Sequence, residues 1–183
     1  ISVDDIQPSS RRYPAIIFDQ QREAGDQILH IENLSASNNT GVLFTGLDLN
    51  VSKGDKIAVI GNGLAITALF ETLMNAHTAD SGEFKFGQTI TPSYLPNEND
   101  KYFNGDDNLI DWLRQFSVNK DEVYVRGFLG KMLFTGEESF KMSNVLSGGE
   151  KMRCMISRMM LAEGNLLILD EPTNHLDLES ITA

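Results

Sequence analysis

Apolar and polar positions along this chain predict strands first, then helices, then one last strand. Residues 15–18 and 28–34 read as strands. Residues 43–51 read as another, with Leu47 and Leu49 alternating with Asp48 and Asn50. Asn38-Asn39-Thr40-Gly41 has tight-turn chemistry. Ser52-Lys53-Gly54-Asp55 has turn chemistry, leading into residues 56–61 (KIAVIG), a buried-strand pattern. Helical spacing follows over residues 64–76, where Leu69, Leu73 and Ala76 share a face. After Asp80-Ser81-Gly82, residues 83–86 and 90–95 read as a strand pair.

The chain then changes character. Leu109, Ile110, Trp112, Leu113 and Phe116, and then Val123, Val125, Phe128, Leu129, Met132 and Leu133, form two amphipathic helical patterns. Trp112 and Phe128 read as their core, because no basic residues alternate with the aromatics as in a base-stacking surface. Met152, Met155, Ile156, Met159 and Met160 line one face of a further helix, which is adaptable core packing. Residues 166–169, four apolar positions without alternation, predict a parallel strand buried on both faces.

Composition narrows the class. At 183 residues, 41% hydrophobic and 22% charged, the chain suits one globular domain with a small subdomain. No apolar run approaches the roughly 18 residues that span a bilayer, so no membrane helix is expected. Residues 1–5 have neither the basic nor the apolar region of a signal peptide. The missing initiator Met suggests a fragment of a longer protein. The single cysteine, Cys154, falls in an apolar helical run and reads as packed, in keeping with a reducing cytosol. A formal charge of −11 argues against a general polyanion-binding surface. Residues 1–14, with Pro8, Pro14 and the Arg11-Arg12 pair, read as solvated linker.

The chemistry concentrates between Asn144 and Asp177. Leu146-Ser147-Gly148-Gly149-Glu150 is a glycine-rich turn opening a helix, where backbone N–H groups and the dipole suit a phosphate. Residues 166–169 end in Asp170 and Glu171, at the strand end where open α/β sheets bind ligands. Pro172-Thr173-Asn174-His175-Leu176-Asp177 then turns into another helix. In this order the three stretches resemble the signature motif, Walker B motif and D-loop of the ATP-binding-cassette ATPases. The wording LSGGE and LDEPTNHLD is similar to the ABC-F branch, soluble cassette proteins that work on ribosomes.

The resemblance implies an α/β, P-loop NTPase-like ABC cassette: a mostly parallel core sheet, an N-terminal antiparallel β part and a helical subdomain. It divides the chain into linker end (1–14), ATP-binding core (15–103), helical subdomain (104–145) and signature helix, Walker B strand and D-loop (146–183). The cofactors are ATP and Mg²⁺. Ser147, Gly148, Gly149 and Glu150 would meet the ATP of a second cassette, in the same or another chain. Asp170 and Thr67 would hold Mg²⁺, and Glu171 would be the general base. Asp177 would line the interface between cassettes or act only as a helix cap. His175 is not the family's switch histidine. His30 and His77 have no ligand partners at metal spacing.

The phosphate-binding loop departs from its pattern. GxxxxGK[ST] belongs after the strand at 56–61, where the chain has Gly61-Asn62-Gly63-Leu64-Ala65-Ile66-Thr67-Ala68. The simplest alignment deletes one residue after Gly61, puts Ala65 for the last glycine and Ile66 for lysine. That removes the point charge on the β- and γ-phosphates and sets an apolar side chain beside a triphosphate, at a cost in desolvation. Two further family positions fall on Asn38, where an aromatic stacks on adenine, and Pro96, where a glutamine senses Mg²⁺ and water. The leading expectation is the second cassette of an ABC-F ATPase, truncated after the D-loop, cytoplasmic, with the parent protein on the ribosome and weak or no hydrolysis by this chain alone. A non-catalytic docking cassette and the ATPase subunit of a membrane transporter are the alternatives.

Overall fold

The computed structural model describes residues 13–174. Two layers and a helical cluster make up the fold. β1 (Gln27–Asn38) and β2 (Gly41–Ser52) form an antiparallel hairpin, and β3 (Ser81–Phe86) pairs antiparallel with the other edge of β1. The hairpin turn is closed by Asn38, whose Oδ1 accepts from the Thr40 N–H at 2.9 Å and the Thr40 hydroxyl at 2.6 Å. β1 is irregular near Asn33, which has φ +46°. There Gly82 runs so close that a Cβ on it would lie 2.2 Å from the Asn33 carbonyl oxygen. Only glycine fits that approach.

The predicted strand pair at 83–86 and 90–95 is split between sheets. β3 joins the antiparallel sheet, whereas β4 (Pro92–Leu95) pairs in parallel with β5 (Leu166–Leu169). The separation follows from Gly87 to Thr91, which turn the chain away from β1. Asn165 then fixes the start of β5: its side chain accepts from the Thr91 N–H at 2.7 Å and donates to the Thr89 carbonyl at 2.9 Å. Gly164 brings that turn against β4, where a Cβ would meet Ser93 Cβ at 2.8 Å.

Two further expectations are corrected. Residues 15–18 form no strand: the Ala15 N–H bonds the Lys131 carbonyl, the Ile17 N–H approaches Met160 Sδ at 3.4 Å, and Ile16 and Phe18 pack on the helices. Residues 56–61 are not in a ladder either. Ile60 is 94% exposed and Ile57 49% exposed, because among the described residues no strand lies on their flank. A largely apolar cavity of 450 Å³ separates Ile57, Ala58 and Val59 from Leu167 and Ile168 of β5.

α1 (Gly63–Leu73) packs Leu69 and Leu73 against β1 residues Ile31 and Leu34 and β5 residue Ile168, one core. A second core joins α2 (Leu109–Arg114), α3 (Glu122–Lys131) and α4 (Gly148–Ala162). Trp112 is its centre, stacked on Phe103 at 4.7 Å with its indole N–H donating to the Tyr102 carbonyl at 2.6 Å. The methionine face of α4 is buried as the pattern predicts, with Met152, Met155, Met159 and Met160 each at most 2% exposed. Burial pushes the Cys154 thiol well above its ordinary range, so it is unreactive packing. None of the described helices is long and apolar enough to cross a membrane.

Candidate functional site

Two helix starts and one strand end converge. α1 begins at Gly63 and is capped by Asn62, whose side chain accepts from the Leu64 N–H at 2.9 Å. The Ala65 and Ile66 N–H groups both bond the Asn62 carbonyl at 3.0 Å. Residues aligned with the phosphate loop thus spend three backbone donors on closing their own helix. Gly61 remains exposed with open space where a Cβ would be.

Thr67 lies one turn into α1, on the same face as Gly63. Its hydroxyl donates to Asp170 Oδ2 at 2.7 Å. Asp170 ends β5, is 2% exposed, and continues the parallel ladder through its N–H to the Leu95 carbonyl at 3.0 Å. Tyr94, on the neighbouring strand, brings its hydroxyl to 3.5 Å from the same carboxylate oxygen. Burial first, and then the Asp170 charge, push the Tyr94 phenol far above its ordinary range, so it stays a neutral donor.

Glu171 follows with φ +49°, a left-handed conformation that turns its side chain out of the strand. The carboxylate is exposed and reaches back over α1, with Oε1 3.6 Å from where a Gly63 Cβ would be. Asn174 donates from Nδ2 to Glu171 Oε2 and, at 3.3 Å, to Asn97 Oδ1. Asn97 therefore supplies a polar amide beside Pro96, the position aligned with the family's glutamine. Tyr94 and Asn97 were not singled out by the sequence reading. The alternation in residues 90–95 could have placed Tyr94 opposite Leu95, and a shift of one residue brings Asn97 into register.

Ile66 lines the largely apolar cavity with Ile57 and Leu69, and the same cavity reaches Asp170 and Glu171. The lysine is still absent, and the cavity of 970 Å³ in front of Gly63 and Thr67 has Lys101 and Lys151 on its far wall. Lys151 is paired with Asp100 at 2.7 Å. Ala68 is buried behind the site.

Ser147 caps α4 in a reciprocal box: its hydroxyl accepts from the Glu150 N–H at 3.4 Å, while Glu150 Oε2 accepts from the Ser147 N–H at 2.9 Å. Glu150 is only partly exposed. Although its burial works the other way, the Lys141 ammonium at 2.7 Å and both Ser147 donors hold its carboxyl down at about 2. Gly148 borders the 970 Å³ cavity and so faces the same space as Gly63 and Thr67. Asp177 and His175 lie outside the described residues.

The donor set fits a hard cation. A hydroxyl and a buried carboxylate 2.7 Å apart, with a second carboxylate adjoining, are oxygen ligands of the kind Mg²⁺ takes while keeping water and phosphate oxygens. Among the described residues no group of three His, Cys, Asp or Glu could hold a metal by itself.

The family model described as "ABC transporter" matches residues 44–174. The "Uncharacterized ABC transporter ATP-binding protein YkpA" of Bacillus subtilis is 52% identical over 186 residues, covering 100% of this chain and 34% of that protein. The "Energy-dependent translational throttle protein EttA" of Escherichia coli K12 is 30% identical over 163 residues, covering 87% of this chain and 29% of that protein. A solved structure, "An inward-facing conformation of a putative metal-chelate type ABC transporter", superposes with TM-score 0.64 at 26% identity, covering 84% of this chain and 64% of that one. This chain spans about a third of the length of the curated relatives it matches. Because the match runs through α1, the start of α4 and the acidic end of β5, the chain belongs to the ABC transporter family, as an ATP-binding cassette domain.

Proposed function

We propose that this domain is the second cassette of an ABC-F-type ATPase whose own phosphate loop is weakened and whose signature face serves ATP held by another cassette. The carrying observation is the asymmetry between the two helix starts. α4 opens on an intact Ser147-Gly148-Gly149 turn with a complete capping box. α1 opens on a loop that lacks lysine and spends its first N–H groups on Asn62.

In this reading Ser147, Gly148 and Gly149 contact the γ-phosphate across the interface. Thr67 and Asp170 hold Mg²⁺, and Glu171 orients the attacking water. The bound ion would supply charge neutralisation on the phosphate oxygens. Thr67 and Asp170 already stand together for it. Asp177 belongs to the cassette interface. The ribosome as partner of the parent protein is supported by the LSGGE and TNHLD wording and by a relative named a translational throttle.

Calorimetric titration with Mg-ATP, together with phosphate release, tests the proposal. The chain alone is expected to bind more weakly than micromolar and to turn over poorly. Turnover matching an intact cassette, abolished by Glu171→Gln, would refute it. The ATPase subunit of a membrane transporter is a second reading, supported by the likeness to the metal-chelate transporter structure. Cosedimentation of the longer protein with ribosomes rather than with membranes separates the two.

A further inference from the structure

Asparagine is followed by glycine at two places in the chain, Asn62-Gly63 and Asn104-Gly105, and all four residues are exposed. Glycine carries no Cβ to shield its backbone nitrogen. In such a pair that nitrogen closes on the side-chain carbonyl carbon once rotation about the asparagine Cα–C bond brings the two atoms together. Sequence and exposure do not separate the two pairs. Hydrogen bonding does.

Asn62 is held at both ends. Its Oδ1 accepts from the Leu64 N–H at 2.9 Å, its carbonyl accepts from the Ala65 and Ile66 N–H groups at 3.0 Å, and Gly63 is already the first residue of α1. Rotation there undoes the cap and the first turn of the helix. Asn104 follows a short 3₁₀ helix, Asp100–Phe103. Among the described residues neither its side chain nor the Gly105 N–H has a hydrogen-bond partner. Rotation there breaks no bond of its own.

We infer that Asn104 is a site of spontaneous deamidation, and that its product loosens the loop which seats the approach to α4. The Gly105 nitrogen bonds to Asn104 Cγ and gives up its proton, the Cγ–Nδ2 bond breaks, and Nδ2 leaves with that proton as ammonia. Water then opens the succinimide ring. Cleavage on the Cγ side leaves an aspartate, and cleavage on the main-chain side leaves an isoaspartate. One water is consumed for each ammonia released.

The position matters because of what the next residues hold. Ser143, 0% exposed, donates through Oγ to the Gly105 carbonyl at 3.0 Å and through its N–H to the Asp107 carbonyl at 2.8 Å. Asn144 Nδ2 donates to Asp106 Oδ1 at 2.8 Å. These bonds seat the residues that lead into Ser147. On its other side Asn104 adjoins Phe103, which is 2% exposed and stacked on Trp112. An isoaspartate lengthens the main chain by one carbon. Phe103 cannot shift without opening the core, so the displacement falls on residues 105–107 and on the bonds from Ser143. An aspartate instead adds a like charge beside Asp106 and Asp107.

The test incubates the purified chain for weeks at neutral pH and physiological temperature. Digestion and mass spectrometry then locate the conversion, and an isoaspartyl methyltransferase detects isoaspartate. Conversion is expected at Asn104 and at least about tenfold slower at Asn62, where three hydrogen bonds must open first. In denaturant the two sites should convert at similar rates. The converted chain should show ¹⁵N NMR shifts at the Ser143 and Asn144 amides. Asn104→Gln removes the reactive amide, and Gly105→Ala shields the nitrogen with a Cβ at an ordinary 3.4 Å from Asp107 Oδ2, so neither variant should convert on this timescale. Comparable native rates at the two sites, no conversion at Asn104, or undiminished conversion in both variants overturns the inference. So does conversion that leaves the Ser143 and Asn144 amides in place. A denatured chain that keeps the native difference overturns it too, because local sequence would then account for the selectivity.

Discussion

Thr67→Val keeps the branched shape of the side chain and removes one hydroxyl. That hydroxyl is the short donor to Asp170, at 2.7 Å, and the carboxylate it serves is 2% exposed. The other side-chain donor, the Tyr94 hydroxyl, stands at 3.5 Å, the outer limit of a hydrogen bond. Valine therefore leaves Asp170 with its desolvation cost and without its main partner. A hydrogen bond to a charged group is worth about 1.5–3 kcal/mol. For a domain of this size each kcal/mol moves the melting temperature by about 2–4 °C, so the loss is about 3–12 °C. Thr67→Ser, which keeps the hydroxyl, should recover most of it. In an Asp170→Asn background the charge is gone and the same change should cost less, with a coupling of about 1 kcal/mol. Thermal unfolding by circular dichroism, without nucleotide or Mg²⁺, reads all four variants. A Thr67→Val melting point within about 1 °C of the parent, or strict additivity with Asp170→Asn, would refute the reasoning.

Three further outcomes are expected. Glu150, ordinarily at 4.5 and held at about 2 in the fold, stabilises the start of α4 fully above the ordinary value. That stabilisation is lost as pH falls from there toward 2, and Lys141→Met should flatten the acid limb of stability against pH. A ¹³C titration of the Glu150 carboxyl at its ordinary value would contradict this. Trp112→Ala, which empties the centre of the helical core and removes the stacking on Phe103, should cost about 3–5 kcal/mol in denaturant unfolding. A loss below about 1 kcal/mol would mean that this core does not support α2 as described. Inserting one residue after Gly61 together with Ile66→Lys should tighten Mg-ATP binding by about tenfold or more, measured by calorimetry. Unchanged affinity would show that the loop is not what limits the site.

Much of this protein was legible because its signals are local. The four apolar residues before Asp170, the glycine turn before α4 and the methionine spacing within it each depend on a few neighbours along the chain. They read correctly as the parallel strand β5, as the α4 start at Ser147 and as a buried helix face, although β5 is not buried on both faces: only Ile168 is buried and Leu169 is 40% exposed. The asparagine turn likewise carries its own hydrogen bonds, and it closes the β1–β2 hairpin as predicted.

The errors lie where pairing partners decide. Residues 56–61 have the composition of a buried strand, but a strand exists only through its neighbours, and among the described residues none flanks them. Residues 83–86 and 90–95 have similar patterns, yet one joins β1 and the other β5, because the turn between them and the side chain of Asn165 separate the two edges.

The site divides in the same way. The sequence by itself determined the acids, the threonine and the missing lysine. Tertiary structure alone brought Thr67 to Asp170 across 103 positions of chain, set Tyr94 and Asn97 beside them, and turned Ile66 into the apolar cavity. The physical reason is that residue type and short-range period fix which chemistry is available. Which groups meet depends on how strands register and on which face of α1 packs inward, and neither is written within a single segment.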